Sequence, residues 1–158
     1  MMILHSRLPR NREHEGQFWV EAEGRTLLGP WRCRGEADNQ NAARANNVIE
    51  DPTRVGGDHP AGTYRLVKAV SFHPTDTAHF PTFGPWFFLL DPLDGEALVA
   101  KQQGRTGLGL HGGAPGPGDM LRATYGCLRL FNDGVLRLAG LILPLPPDLH
   151  YICEVLAG

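Results

Sequence analysis

His111 and Cys127 are the side chains of this 158-residue sequence whose types and spacing suggest chemistry: an imidazole and a thiol sixteen residues apart, at the ends of "HGGAPGPGDMLRATYGC". A thiol attacks only as thiolate, so it needs a neighbouring base or positive surroundings to bring it down from a pKa of about 8.5. Gly126 permits a tight bend before the cysteine, in which amides adjacent to the sulfur can face an oxyanion during acyl transfer. Gly112 and Gly113 follow the histidine and leave its ring approachable. The same residues also fit a Gly-Pro surface loop with a small buried cysteine at one end. Spacing alone leaves both readings open.

Other reactive residues carry weaker patterns. Cys33 in "WRCRG" and Cys153 in "YICEV" have the flanks of ordinary strands. Three cysteines are the wrong parity for a disulfide scaffold, and none has the paired spacing of a structural zinc site. His59, His73 and His79 lie in proline-containing loops without ligand spacing, so no metal and no cofactor is expected. Arg129 and Arg105 are candidates for gripping a substrate carboxylate, because a guanidinium offers two parallel donors; solvated charges would look the same. Tyr64, Trp86, Phe87 and Phe88 read as core rather than as a substrate platform.

The elements that must position these residues are short, since 20 glycines and 13 prolines punctuate the chain. "FWVEA" and "RTLLGPWRCRGEA" read as strands around a turn at Glu23-Gly24, the second interrupted at Gly29-Pro30. "TYRLVKAVSF" is the clearest strand, and "GPWFFLLD" has the continuous apolar run of one buried on both faces. "ALVAKQ", "GLGLHG" and "HYICEVL" follow as strands. "ADNQNAARANNVIED" supports at most a helical turn in a surface connection. "FNDGVLRLAGLIL" predicts a helix, with Asn132 or Asp133 accepting amides of its first turn, Val135, Leu136, Leu138, Ala139 and Ile142 on one face, and Pro144 ending it. The expected architecture is mainly β, a sandwich of short strands with one or two short helices. Residues 1–158 make one domain, with residues 1–16 flexible or peripheral.

Fifteen Lys and Arg against 17 Asp and Glu leave no basic excess for nucleic-acid phosphates. No stretch reaches the roughly 18 apolar residues of a membrane span, and the N-terminus lacks the apolar core of a secretory signal. Synthesis in the cytoplasm without a recognisable signal is therefore expected.

Together, His111-Gly112 followed by Thr124, Gly126, Cys127, Leu128 and Arg129 form the pattern H-G-x11-[ST]-x-G-C-h-R. That pattern is similar to the signature of the L,D-transpeptidase (YkuD) catalytic domain. "GGDHPAGTYRL" resembles the family's T-P-x-G-x-[FY] element, with His59 in place of the usual Thr. "GRTGLGLHGG", and Asp133 followed by Leu136, also fit. The resemblance covers Phe18 to the C-terminus. It departs at Tyr125, where the family has the His of S-H-G-C, which marks a divergent branch.

The resemblance implies a β-rich L,D-transpeptidase-like fold and a cysteine acyltransferase acting on peptidoglycan stem peptides. Cys127 would be the nucleophile and His111 the base, its ring held by a backbone carbonyl near Gly112 or Gly113. Amides around Tyr125, Gly126 and Cys127, supported by Thr124, would hold the oxyanion. An incoming amine gives transpeptidation or D-amino-acid exchange; water gives carboxypeptidase action. The site of action would be the periplasm or cell wall, reached without a signal, as for an effector delivered into a rival cell. A secretion-system component or an immunity protein is then a further candidate partner. The alternatives are hydrolysis of a non-wall amide, and a degenerate copy retained as a peptide- or peptidoglycan-binding module.

Overall fold

The computed structural model describes residues 1–157. Eight strands form one mixed sheet: β1 (Met2–Leu8), β2 (Gly16–Ala22), β3 (Arg25–Cys33), β4 (Gly62–Ser71), β5 (Trp86–Pro92), β6 (Gly109–His111), β7 (Leu128–Arg129) and β8 (His150–Val155), in the spatial order β3-β2-β1-β8-β4-β5-β6-β7. The sheet curls until its edges meet. Arg34, just past β3, and Arg129 in β7 exchange both backbone hydrogen bonds, at 3.0 and 2.9 Å. Closing a sheet on itself satisfies the edge groups that an open sheet leaves unpaired.

Period-2 alternation fills the inside of the curl. Leu4, Phe18, Val20, Tyr64, Phe88, Leu110, Leu128 and Tyr151 are all buried there. Helix α4 (Asn132–Ile142) adds Val135, Leu138, Ala139 and Ile142 to the same core. Leu136, expected on that face, is half exposed instead.

Several local expectations meet a correction. Residues 1–16 are not peripheral: β1 lies between β2 and β8, with Leu4 and Leu8 buried. Its alternation was masked because a serine takes one inward position, Ser6, while His5 and Arg7 point outward. "ALVAKQ" belongs to helix α3 (Gly95–Gln102), not to a strand. Six apolar-rich letters suit either structure, and burying Ala97 and Ala100 on one side decides for the helix. Strand β5 is buried alternately rather than on both faces. Two further helices, α1 (Asn39–Arg44) and α2 (Phe80–Phe83), border the region where the β6 and β7 ends open to solvent.

Candidate active site

Strands β6 and β7 run parallel, pairing Leu110 with Leu128 and His111 with Arg129. Residues two apart share a face of a strand, so Cys127 and Arg129 project on the side that carries His111. All three line one cavity of about 830 Å³. The fifteen residues between histidine and cysteine therefore act as a crossover that returns the thiol to the cavity His111 lines. Gly109 stands next to His111 on this face because the Phe87 ring fills the space where a Cβ would sit.

His111 is almost wholly buried and its orientation is fixed. Its Nδ1 lies 2.6 Å from the Gly112 carbonyl oxygen, which can only accept, so Nδ1 carries the proton and Nε2 keeps its lone pair. The ring stacks on Phe87, with centroids 5.7 Å apart, and meets the edge of Phe83 at 5.2 Å. Burial holds the imidazole neutral, lowering its pKa to about 4. Phe87, read from sequence as core, is a half-buried wall of the cavity.

The segment after His111 is tied from a distance. Asn132 does not cap its own helix; its Oδ1 accepts the Gly113 amide at 2.8 Å. A Cβ at Gly112 would collide with that same oxygen.

Cys127 is 8% exposed, and burial pushes its thiol up to about 11, against smaller lowering by the Gly109 backbone and the Arg105 and Arg129 charges. Its Sγ sits 3.7 Å from the Gly107 carbonyl. Cys33 and Cys153 are buried thiols of the barrel interior, both raised in pKa by desolvation first of all.

In the turn before Cys127 the carbonyls and the Gly126 amide are all held. Thr124 Oγ1 accepts the Gly126 amide at 2.9 Å and donates to the Cys127 carbonyl at 2.8 Å. The Gly126 amide, one of the expected oxyanion donors, is thus engaged. Among the described residues, the amides of Tyr125 and Cys127 have no acceptor. The Tyr125 ring is 64% exposed at the cavity mouth. Gly126 has φ +108°, and a Cβ there would strike the Arg105 guanidinium and come within 2.5 Å of the Gly57 carbonyl.

The two arginines differ. Arg105 donates Nη1 to the Pro52 and Asp58 carbonyls (2.5 and 2.9 Å) and Nη2 to those of Gly57 and Tyr125 (2.6 and 3.4 Å). Both terminal nitrogens are fully used, so Arg105 braces the loop and has no fork left for a substrate carboxylate. Among the described residues Arg129, 5% exposed, reaches only the Thr82 carbonyl at 3.1 Å and that of Ala114 at 3.5 Å. Its Nε is buried and lacks a partner among the described residues. Burial lowers its pKa to about 10, which leaves it charged at neutral pH. Arg105, Arg122 and Arg129 line the cavity against a single carboxylate, that of Asp38, whose Oδ1 caps α1 through Gln40 and Asn41.

His59 stands where the resembled family has a Thr and lacks the spacing of a metal ligand. It is completely buried and bonded to the protein through both ring nitrogens, to the Gly126 carbonyl at 2.9 Å and the Tyr151 hydroxyl at 3.0 Å. No sequence signal announces that role. His73 and His79 are surface residues, bonded to Thr75 and Asp76.

No protein-family model and no curated protein matches the sequence. Solved structures do match in fold. Bd1075 of Bdellovibrio bacteriovorus superposes with a TM-score of 0.58 at 15% identity, over 96% of this chain and 46% of its own. Pgp2 of Campylobacter jejuni, a helical cell shape determining protein, gives 0.51 at 18% identity, over 99% and 49%. An L,D-transpeptidase of Mycobacterium tuberculosis gives 0.51 at 10% identity, over 97% and 58%. This chain spans about half the length of the solved structures it matches. At such identities the likeness is one of fold, and the mainly-β, L,D-transpeptidase-like fold expected from sequence is the one observed.

Proposed function

We propose that this chain is a cysteine acyltransferase acting on peptidoglycan stem peptides in the cell wall. The observation that carries the reading is the shared cavity of Cys127 and His111, with the imidazole locked by Gly112 so that its basic nitrogen is unprotonated. His111 Nε2 takes the thiol proton as Sγ attacks the peptide carbonyl. The tetrahedral oxyanion is received by the Cys127 amide, with the Tyr125 amide beside it. Collapse breaks the C–N bond, the leaving amine takes the proton from His111, and a thioester remains. An amine acceptor then gives a cross-link or an exchanged D-residue, whereas water gives carboxypeptidase action.

Arg129 suits the free carboxylate of a terminal D-residue. A nearly buried guanidinium with an unused donor is costly to leave unpaired, and a carboxylate answers both its charge and its fork. The L,D-transpeptidase fold of the matched structures supports the same substrate class.

Purified protein incubated with disaccharide tetrapeptides and followed by mass spectrometry tests the proposal. Loss of the terminal D-residue, its exchange, or dimer formation is expected, and Cys127→Ala abolishes each; activity surviving that substitution sinks the mechanism. A second reading, a peptidoglycan-binding module without turnover, draws on the raised thiol pKa and on Tyr125 at the family's histidine position. Binding of the tetrapeptide with no product would select it.

A further inference from the structure

Peptide geometry around Gly126 links a residue outside the cavity to the reaction within it. The carbonyl of Gly126 and the amide of Cys127 belong to one planar trans peptide, so the C=O and N–H point in opposite directions. The carbonyl is held inside the fold by His59 Nδ1 at 2.9 Å. Because a carbonyl only accepts, Nδ1 is the protonated nitrogen, and Nε2 must accept from the Tyr151 hydroxyl. The Tyr151 oxygen in turn lies 2.5 Å from Ser6 Oγ, whose proton it accepts. The relay Ser6 to Tyr151 to His59 to Gly126 thus has one consistent direction, running from β1 and β8 to the nucleophile's peptide.

The ring has little freedom to turn away. It stacks on Tyr64, with centroids 5.5 Å apart, lies tilted against Tyr151 at 5.8 Å, and its own carbonyl takes a 2.6 Å bond from the buried Arg12 guanidinium. The preceding peptide is pinned as well, its carbonyl by Arg105 and its amide by Thr124. With these partners fixed, the Cys127 amide is the donor turned away from the interior.

We propose that His59 is a positioning residue for acyl transfer: by holding the Gly126 carbonyl inside the fold, it presents the Cys127 N–H to the oxyanion. The inference rests on the reading of Cys127 as an acylated nucleophile. It assigns to the Ser6–Tyr151–His59 relay the task of setting one peptide plane, with no contact between His59 and substrate.

The test separates reactions that form an oxyanion from those that do not. Acylation of Cys127 by p-nitrophenyl acetate passes through a tetrahedral oxyanion; alkylation by iodoacetamide does not, and mass spectrometry reads both at Cys127. His59→Leu removes the donor, and acylation should slow by about 10- to 100-fold, as for a displaced oxyanion donor, with alkylation within about threefold of wild type. His59→Asn returns a side-chain N–H to the Nδ1 position and should recover most of the acylation rate.

Equal acylation by wild type and His59→Leu overturns the proposal. So does an equal loss of both reactions, or an Asn variant no better than Leu. If His59→Leu does not fold, Tyr151→Phe, which strips the partner of Nε2, carries the test: acylation should fall while alkylation holds, and unchanged acylation refutes the relay. A wild-type Cys127 that is alkylated but never acylated overturns the acyltransferase reading, and this inference with it. Acylation that is indifferent to His59 overturns the inference alone.

Discussion

Asn132 and Gly113 lie nineteen residues apart, yet the Asn132 side chain accepts the Gly113 amide at 2.8 Å and thereby fastens the start of α4 to the segment that orients the candidate base. His111 is held by the carbonyl of Gly112, the residue between His111 and Gly113. Asn132→Ala should cost about 1–2 kcal/mol of stability through the stranded amide. It should also slow Cys127 acylation by about tenfold through misplacement of the imidazole. Asn132→Asp keeps an acceptor oxygen and should retain most of both. Chemical denaturation and acylation rates measured on the two variants decide the matter; an alanine variant as fast as wild type would remove Asn132 from the site's support.

The two groups share the cavity as a neutral thiol and a neutral imidazole, because burial raises Cys127 to about 11 and lowers His111 to about 4. Iodoacetamide alkylation of Cys127 should therefore climb steadily with pH through 9 and level off only near 11. A thiolate–imidazolium pair would instead give a plateau from mildly acidic pH upward, and finding that plateau would refute this arrangement. Acylation assisted by His111 should be lost only as the pH falls toward 4, where the imidazole is protonated.

Arg105 and Arg129 should separate in their effects. Arg105→Ala frees carbonyls of Pro52, Gly57, Asp58 and Tyr125, and its principal consequence is a loss of stability of about 3 kcal/mol. Arg129→Gln should leave the fold near wild type and raise KM for a tetrapeptide with a free C-terminal carboxylate by about tenfold or more. With the C-terminal amide as substrate, wild type and Arg129→Gln should differ little. Equal losses on acid and amide would show that Arg129 does not read the carboxylate.

His59 and His111 make the fold acid-sensitive. Burial is the chief cause of the low pKa of each, about 3 and about 4, whereas an unfolded histidine titrates near 6.5. Below pH 6.5 the unfolded chain takes up protons that the folded one refuses, so stability present above pH 6.5 is lost as the pH falls toward 4. The slope is about 1.4 kcal/mol per pH unit for each histidine. His59→Asn removes one contribution and should flatten the curve by that amount between pH 6.5 and 4. Glu50, raised to about 7 by burial and by its bond to Asp58, acts with the opposite sign and cancels in the comparison. Parallel curves for the two proteins would contradict the buried neutral state of His59.

How much of this was legible in the sequence follows from what local pattern encodes. Strands β4, β5, β6 and β8 stand out because β-branched and aromatic residues between turn formers specify them locally, and α4 carries its own apolar face. His111 and Cys127 stand out in the sequence through their flanking glycines, and the fold brings both to one cavity. What stayed hidden depends on partners far away in the chain. Ser6 hides the inward face of β1 until Tyr151 supplies its partner. Arg105 and Arg129 carry the same letter, and only the carbonyls of residues 52–58 distinguish a fully bonded brace from a guanidinium whose Nε has no partner among the described residues. Asn132 looked like a helix cap because its true partner, Gly113, lies in another segment.

The parallel pairing of β1 with β8 joins residues that are about 147 positions apart, such as Ser6 with Cys153. Closing so long a loop is among the slowest kinds of contact a chain can make, because its entropy is lost before any bonding compensates. A ribosome must release residues 150–155 before Tyr151 can reach Ser6, and only then does His59 gain the hydroxyl that sets its ring. The surroundings of Cys127 thereby depend on a segment synthesised after it: a nascent chain lacking residues 150–155 already carries Cys127 and His111, but not the hydroxyl that partners the His59 ring.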